Sequence, residues 1–282
     1  MIHLKSSIHE LIENFNSNVK GVPIVFDETK TNMRHSGKEG LWLERKLGLT
    51  PNCSNAPDFK GYEIKNTIMN SKKPITFGDY SASQYIFSKN NCFIKEYNEK
   101  NNFHTDDLSR NDFLKIFGTP KSKKKMEETV RFSWSGKCAP KYYNIWSECG
   151  QILLMNENAD LCIYYCFDKD TRKDKEHIIP QKIQANPLQN FLVLVWFKSK
   201  LEKNINNKFN KNGIVFAERN QNVESLSFER LKLAQPFDYD HFIHNLINQR
   251  IYFDSGMYEG NNRQYSMFRC SDTLFWKNLI II

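Results

Sequence analysis

The stretch Pro57-Asp58-Phe59-Lys60-Gly61-Tyr62-Glu63-Ile64-Lys65 places two carboxylates and an ammonium at a spacing that can do chemistry. In a strand, residues two apart point to the same face, so Glu63 and Lys65 share one side and Tyr62 and Ile64 the other. Gly61, next to Lys60, lets the chain bend just before that strand and bring Asp58 back beside Glu63. Two hard oxygen ligands and an ammonium then converge on one point. Paired carboxylates suit Mg²⁺, which favours a few carboxylates plus water and phosphate oxygens. The lysine can hold, or help deprotonate, an attacking water. A Lewis acid, an oriented nucleophile and charge neutralisation at phosphorus are the parts needed to hydrolyse a phosphodiester. Alone, such a short string recurs by chance in a chain rich in Lys, Asp and Glu.

The elements around it must therefore position it. Upstream, in His35-Ser36-Gly37-Lys38-Glu39-Gly40-Leu41-Trp42-Leu43-Glu44-Arg45-Lys46-Leu47-Gly48, Leu43 and Leu47 recur at helical spacing and Gly48 is a natural stop. Glu44 lies between the two leucines, and a short loop from Leu49 to Pro57 leads to Asp58. The helix can bring Glu44 to the carboxylate pair; an exposed helix glutamate is the commoner fate of such a residue. His35 reads as a structural or capping residue.

On these residues the chain resembles a family. The run H-S-G-K-E-G-L-W-L-E-R-K-L-G, followed from Asn52 to Lys65 by a motif ending D-F-K-G-Y-E-I-K, is similar to the MvaI/BcnI restriction endonucleases. These belong with the mismatch-repair nicking enzyme MutH among the PD-(D/E)xK nucleases. The resemblance extends to Arg131-Phe132-Ser133-Trp134-Ser135-Gly136 and, more loosely, towards the C-terminus. It implies Asp58, Glu63 and Lys65 as the catalytic core, Asp58 and Glu63 as the Mg²⁺ ligands, and Glu44 as an accessory carboxylate. It further implies a monomer cutting the two strands in successive visits at a short G·C-rich site of the CC-N-GG type. A cognate DNA methyltransferase would be its functional, not physical, partner.

Composition is compatible with that reading without demanding it. The 282 residues suffice for one large domain or two lobes, and the net charge of +8 suits a polyanionic partner such as double-stranded DNA. No apolar run approaches the ~20 residues of a membrane span, and the first residues lack a signal-peptide core, so a cytoplasmic protein is expected. Seven scattered cysteines point to reduced, buried thiols.

Along the chain, periodicity predicts helices at about Ser7–Val19, Asp106–Phe117 and Phe237–Arg250, with a short apolar segment at Val22–Phe26. Tyr80–Phe87 reads as a strand or as a helix start. Val130–Trp134 and Ile214–Ala217 read as strands. Gln151–Leu154 and Ala159–Phe167 read as a hairpin, with a charged turn at Asp168–Glu176. Phe191–Phe197 suits a strand buried on both faces. Ser199–Phe209 reads as a polar, Asn-rich segment.

Several residues are candidates for holding DNA. Lys72 and Lys73 follow the catalytic strand, and either touch phosphates or sit in a solvated loop. Lys121-Ser122-Lys123-Lys124-Lys125 is a basic loop. Ser133, Trp134 and Ser135 could support phosphate or base contacts, with Trp134 equally suited to the core. The segment Ile251–Arg269 reads as a loop, and the resemblance implies that it reads bases, with Arg263 foremost, then Arg269, and Tyr265 between them; a surface salt bridge is the equal alternative for either arginine.

The expected fold is α/β: a PD-(D/E)xK core of mixed sheet flanked by helices, with a second lobe for DNA recognition. Residues 1–282 form one nuclease chain of two interleaved lobes, roughly 20–135 for catalysis and 136–282 for the remainder. The expected function is Mg²⁺-dependent, type II site-specific cleavage of double-stranded DNA. The alternatives are a MutH-like nickase and a DNA-binding module without chemistry.

Overall fold

A computed structural model of the chain describes residues 6–26, 37–49, 56–69, 71, 73–103, 107–122, 130–220, 226–270, 275 and 280–282. In chain order the elements begin with α1 (Ser6–Asn18), α2 (Lys38–Lys46), β1 (Glu63–Ile68), β2 (Ile75–Asp79), β3 (Gln84–Tyr85), α3 (Cys92–Lys100) and α4 (Arg110–Phe117). There follow β4 (Thr119–Ser122), β5 (Val130–Ser135), β6 (Cys149–Met155), β7 (Leu161–Asp170), α5 (Lys175–Ile178), α6 (Gln181–Gln184) and β8 (Phe191–Trp196). Next come α7 (Lys198–Phe209), β9 (Ile214–Arg219), β10 (Phe228–Ala234), α8 (Tyr239–Ile247), β11 (Ile251–Tyr258), β12 (Ser266–Cys270) and β13 (Ile280–Ile281).

The chain folds into two compact units. The first takes Met1–Lys73, Lys203–His241 and Thr273–Ile282; the second takes Pro74–Glu202 and Phe242–Asp272. The boundary expected near residue 135 is therefore redrawn: residues 74–135 group with 242–272. Strand pairing is the reason, since β2 pairs with β12 and β5 with β11.

In the first unit a four-stranded sheet runs in the order β1-β9-β10-β13. β1 lies parallel to β9, and the other pairs are antiparallel. Ile8, Leu11 and Phe15 form the apolar stripe of α1, as its spacing requires. They pack with Leu43 and Leu47 and with the sheet residues Tyr62, Ile64, Val215, Ala217 and Leu231 into one core. Tyr62 and Ile64 thus take the buried face, leaving the other face of the strand to Glu63 and Lys65. Val22–Phe26 forms no strand, only an isolated bridge from Pro23 to Ser227.

The second unit holds two antiparallel sheets, ordered β2-β12-β11-β5-β4 and β3-β8-β7-β6. β8 is buried throughout and sits between β3 and β7, as its unbroken apolar run predicts. The β6–β7 hairpin is also as expected, although β7 continues to Asp170 into the predicted charged turn.

Three expectations change. Ser199–Phe209 is helix α7, because Leu201, Ile205 and Phe209 make a buried stripe at four-residue spacing between the asparagines. Ile251–Arg269 is a β-hairpin rather than a loop: Ile251, Phe253, Ser255 and Met257 alternate inward along β11. Helix α4 starts at Arg110, where Ser109 and Asp112 form a capping box.

Among the described residues, Cys138, Cys149, Cys162, Cys166 and Cys270 are buried thiols outside any disulfide, and Cys92 is an exposed one. No described helix is long and apolar enough to cross a membrane.

Candidate active site

The bend before β1 is a two-residue turn. Phe59 and Tyr62 exchange both backbone hydrogen bonds, at 2.9 and 2.8 Å. Between them Lys60 and Gly61 both have positive φ, 43° and 94°. That pair of angles belongs to a type I′ turn, whose twist matches that of the strands it joins. Gly61 is required twice over, since a Cβ there would meet Asn212 Nδ2 at 2.7 Å. Asn212 in turn donates to the Lys60 carbonyl at 2.8 Å, and Glu63 N donates to Gly213 O at 3.0 Å. The turn is thereby clamped by the loop that leads into β9.

Pairing of Phe59 with Tyr62 sets Asp58 opposite Glu63. Asp58 Oδ2 accepts from Ile64 N at 2.8 Å, which fixes the carboxylate across the start of β1. Glu63 is buried, and its Oε1 accepts from Lys65 Nζ at 2.5 Å. Lys208 Nζ lies 3.1 Å from the same oxygen. Glu63 Oε2 is buried with no hydrogen-bond partner.

Electrostatics draw Glu44 into the same group. Burial raises the Asp58 carboxyl above its ordinary value, and the neighbouring charge of Glu63 raises it further, against the Ile64 hydrogen bond, Lys65 and Lys208. Burial likewise raises Glu44, followed by the charges of Asp58 and Glu63, while Lys65 opposes. Leu43 anchors α2 in the core one residue away, and Gly48, with φ 75°, closes the helix with Leu49 N donating to Glu44 O at 2.8 Å. The structure brings together all four residues of the expected catalytic set.

The donor set can be tested for a divalent ion. A buried carboxylate oxygen without a partner is costly and is relieved by a cation. Glu63 Oε2 is such an oxygen, and beside it stands the Asp58 carboxyl, raised chiefly by burial and then by the charge of Glu63. Among the described residues no group of three or more His, Cys, Asp or Glu side chains is placed to hold a metal ion, so the carboxylate pair is the donor set to be weighed. Two carboxylates, with water and phosphate oxygens in the other positions, are what Mg²⁺ takes, and Asp58 with Glu63 is a pair of that kind.

Lys208 was missed by sequence reasoning. The available signal was the stripe that makes α7 a helix: Lys208 sits between buried Ile205 and Phe209, at the end beside the Asn212 clamp.

The expected DNA-holding residues divide. Trp134 is fully buried against Phe113 and Phe253, and its Nε1 donates to Gln151 Oε1 at 2.8 Å. Ser133 is buried too, with its Oγ 3.3 Å from Met257 O. Both lie in the core, the use to which Trp134 is equally suited: alternation along β5 is overridden where consecutive residues are covered. Ser135 is less buried, and its Oγ accepts from Lys121 Nζ at 2.8 Å. Arg269 Nε lies 2.7 Å from Asp254 Oδ2, one of its two expected uses. Arg263 is exposed in the β11–β12 turn, with its guanidinium 5.9 Å from the Tyr265 ring centre. Arg110 holds that turn through the carbonyls of Tyr258 and Arg263, at 3.3 and 3.2 Å. Lys73 is exposed. Lys72 and the lysines at 123–125 lie outside the described residues.

Three comparisons with known proteins bear on nearly the whole chain. The LlaMI restriction endonuclease family model matches residues 23–282. The type II restriction enzyme ScrFI of Lactococcus lactis subsp. cremoris is 36% identical, with 96% of each chain covered. The structure of the restriction endonuclease MvaI–cognate DNA substrate complex superposes with a TM-score of 0.61 at 13% identity, covering 99% of each chain. The last match shows the fold, a mixed sheet flanked by helices. By the family model that covers residues 23–282 and by its 36% identity to a type II restriction enzyme, the chain belongs to the LlaMI restriction endonuclease family, as a type II restriction endonuclease.

Proposed function

We propose that this type II restriction endonuclease hydrolyses phosphodiester bonds of double-stranded DNA with Mg²⁺, at the centre formed by Asp58, Glu63, Lys65 and Glu44. The observation that carries the proposal is Glu63: a buried carboxylate with the ammoniums of Lys65 and Lys208 on one oxygen and no hydrogen-bond partner on the other, facing Asp58 across a clamped turn. Restriction endonucleases generally work with a divalent metal ion, and these donors favour Mg²⁺. When bound by Asp58 and Glu63, the ion supplies positive charge at the phosphate.

The chain's own residues do the rest. Lys65 shares a face with Glu63: its ammonium donates to the attacking water and holds it in line with phosphorus, and only as the neutral amine does it take the water's proton. The Ile64 amide fixes the Asp58 carboxylate, so little reorganisation accompanies substrate binding. Glu44 adds a third negative charge and tunes or shares the metal site; burial first, then the charges of Asp58 and Glu63, hold its own carboxyl above the ordinary value.

For recognition we assign Arg263 and Tyr265 to base edges, with Lys73, Lys72, Lys121 and Ser135 near the backbone. An arginine can donate two hydrogen bonds to guanine O6 and N7, which suits a G·C-rich site of the CC-N-GG type. We further propose that the enzyme acts in the cytoplasm as a monomer, cuts the two strands in successive visits, and is paired in function with a DNA methyltransferase that protects the same site.

The test is a digest of sequenced, supercoiled plasmid with Mg²⁺, followed over time and with the ends read. Linear product with uniform ends at one short site supports the proposal. Nicked circles that persist support a MutH-like nickase instead. Binding without cleavage in every divalent ion supports a module without chemistry. Cleavage unchanged in Lys65→Ala overturns the role given to Lys65.

A further inference from the structure

Glu63 has more positive charge than a two-carboxylate, one-lysine centre requires. Lys65 and Lys208 both direct their ammoniums at Oε1, at 2.5 and 3.1 Å, while Oε2 has no partner. Lys208 is mostly buried, with 15% of its side chain exposed. Its place is fixed by several independent contacts. Phe209 stacks on Phe237 at 4.8 Å, Asn206 Oδ1 accepts from Tyr239 N at 2.8 Å, and Asn212 holds the Lys60 carbonyl. The end of α7 and the catalytic turn are therefore one braced piece, and Lys208 spans them.

Two ammoniums on one oxygen repel each other, so each holds the carboxylate less firmly than it would alone. Stripping a buried carboxylate of its last counter-ion is costly, because the bare charge has no water to replace the partner. If Lys65 were the only ammonium on Glu63, turning it towards a water or a phosphate would leave that bare charge. With Lys208 in place, Glu63 keeps a counter-ion when Lys65 leaves.

We propose that Lys208 is a positioning residue of the cleavage centre: it is the standing counter-ion of Glu63, freeing Lys65 for the reaction and leaving Oε2 as the oxygen offered to a divalent ion. The inference rests on the reading of Glu63 and Lys65 given above. It makes two predictions of opposite sign. Without Lys208, Lys65 is retained by Glu63 and cleavage slows. The site also loses a competing positive charge, so it binds a divalent cation more tightly.

The experiment uses the full chain as wild type, Lys208→Met, Lys208→Arg and Lys65→Met. Single-turnover cleavage is measured at saturating Mg²⁺, and Ca²⁺ binding to the DNA-free protein is measured by calorimetry. Lys208→Met should cleave on the order of 100-fold more slowly, the scale of a misplaced catalytic group. It should bind Ca²⁺ about 5- to 10-fold more tightly, the scale of removing one charge near a partly screened site. Lys208→Arg should return Ca²⁺ affinity to the wild-type value and restore most of the cleavage. Unchanged cleavage in Lys208→Met, or slower cleavage with weaker Ca²⁺ binding, overturns the inference; the second result marks a merely structural lysine. Should Lys208→Met not fold, Lys208→Gln takes the same two measurements. Lys65→Met separates the two claims: if it cleaves normally, the reading of the centre fails, whereas a dead Lys65→Met beside an unaffected Lys208→Met removes Lys208 alone.

Discussion

Asp58 faces Glu63 across a turn whose central residues, Lys60 and Gly61, both have positive φ, and the Ile64 amide holds Asp58 there at 2.8 Å. Two carboxylates separated by five positions become neighbours because the chain reverses in the fewest residues a hairpin allows. The site's geometry is thus a property of the turn, and the turn is a property of Gly61 and its Asn212 clamp.

Gly61→Ala should therefore damage the centre without touching a catalytic group. At φ 94° an L side chain is strained, and its Cβ would stand 2.7 Å from Asn212 Nδ2. A cost of about 1–3 kcal/mol in stability is expected. Cleavage should drop about 10- to 100-fold through misplacement of Asp58. Thermal unfolding and single-turnover kinetics on the same preparation check both, and wild-type cleavage by Gly61→Ala would remove the turn from the argument.

Metal-free protein should lose stability as pH rises. The Asp58 and Glu44 carboxyls lie above their ordinary values of 3.8 and 4.5, chiefly through burial and then through neighbouring carboxylates. Between the ordinary and the raised values the folded chain binds more protons than the unfolded chain. Stability is then greatest below the ordinary values, falls through that window and stays lower above it. Asp58→Asn should flatten part of this slope and raise the melting temperature of metal-free protein at neutral pH by on the order of 2 °C, while abolishing cleavage. Added Mg²⁺ should stabilise wild type and not Asp58→Asn. Melting curves across about pH 4–8, with chelator and with Mg²⁺, decide it.

Arg263→Ala should weaken recognition more than chemistry. Arg263 is exposed in the β11–β12 turn, whereas Arg269 is paired with Asp254. Losing a two-bond guanine contact costs about 1–3 kcal/mol at one base pair. Cleavage of the cognate site should fall about 10- to 100-fold and discrimination at a single position should relax, with the salt dependence of binding little changed. Arg269→Ala should instead lower the melting temperature. A library digest with sequenced ends separates the two variants.

Trp134→Ala should be a stability mutation. The indole is fully buried, touches Phe113 and Phe253, and donates to Gln151. Truncation should cost about 3–5 kcal/mol. Trp134→Phe should cost less but leave Gln151 Oε1 without its donor, at about 1–3 kcal/mol. In either variant, DNA affinity per folded molecule should match wild type. A DNA-binding defect in well-folded Trp134→Phe would return this residue to the interface.

The amino-acid sequence determined the local parts of this protein. Alternation put Glu63 and Lys65 on one face, Gly61 allowed the turn, and Leu43 and Leu47 set the helix that carries Glu44; each depends on residues a few positions apart, where the backbone's own periods decide. Recruiting Lys208 needed tertiary structure, because α7 reaches Glu63 only after β9 has paired with β1 and Asn212 has closed on the turn. Burying Trp134 needed it too: a strand's alternation gives two faces, but only packing decides whether one of them or both are covered. The same holds for the two arginines near the C-terminal hairpin, alike in sequence and told apart by Asp254, which pairing of β11 with β12 brings to Arg269 and not to Arg263.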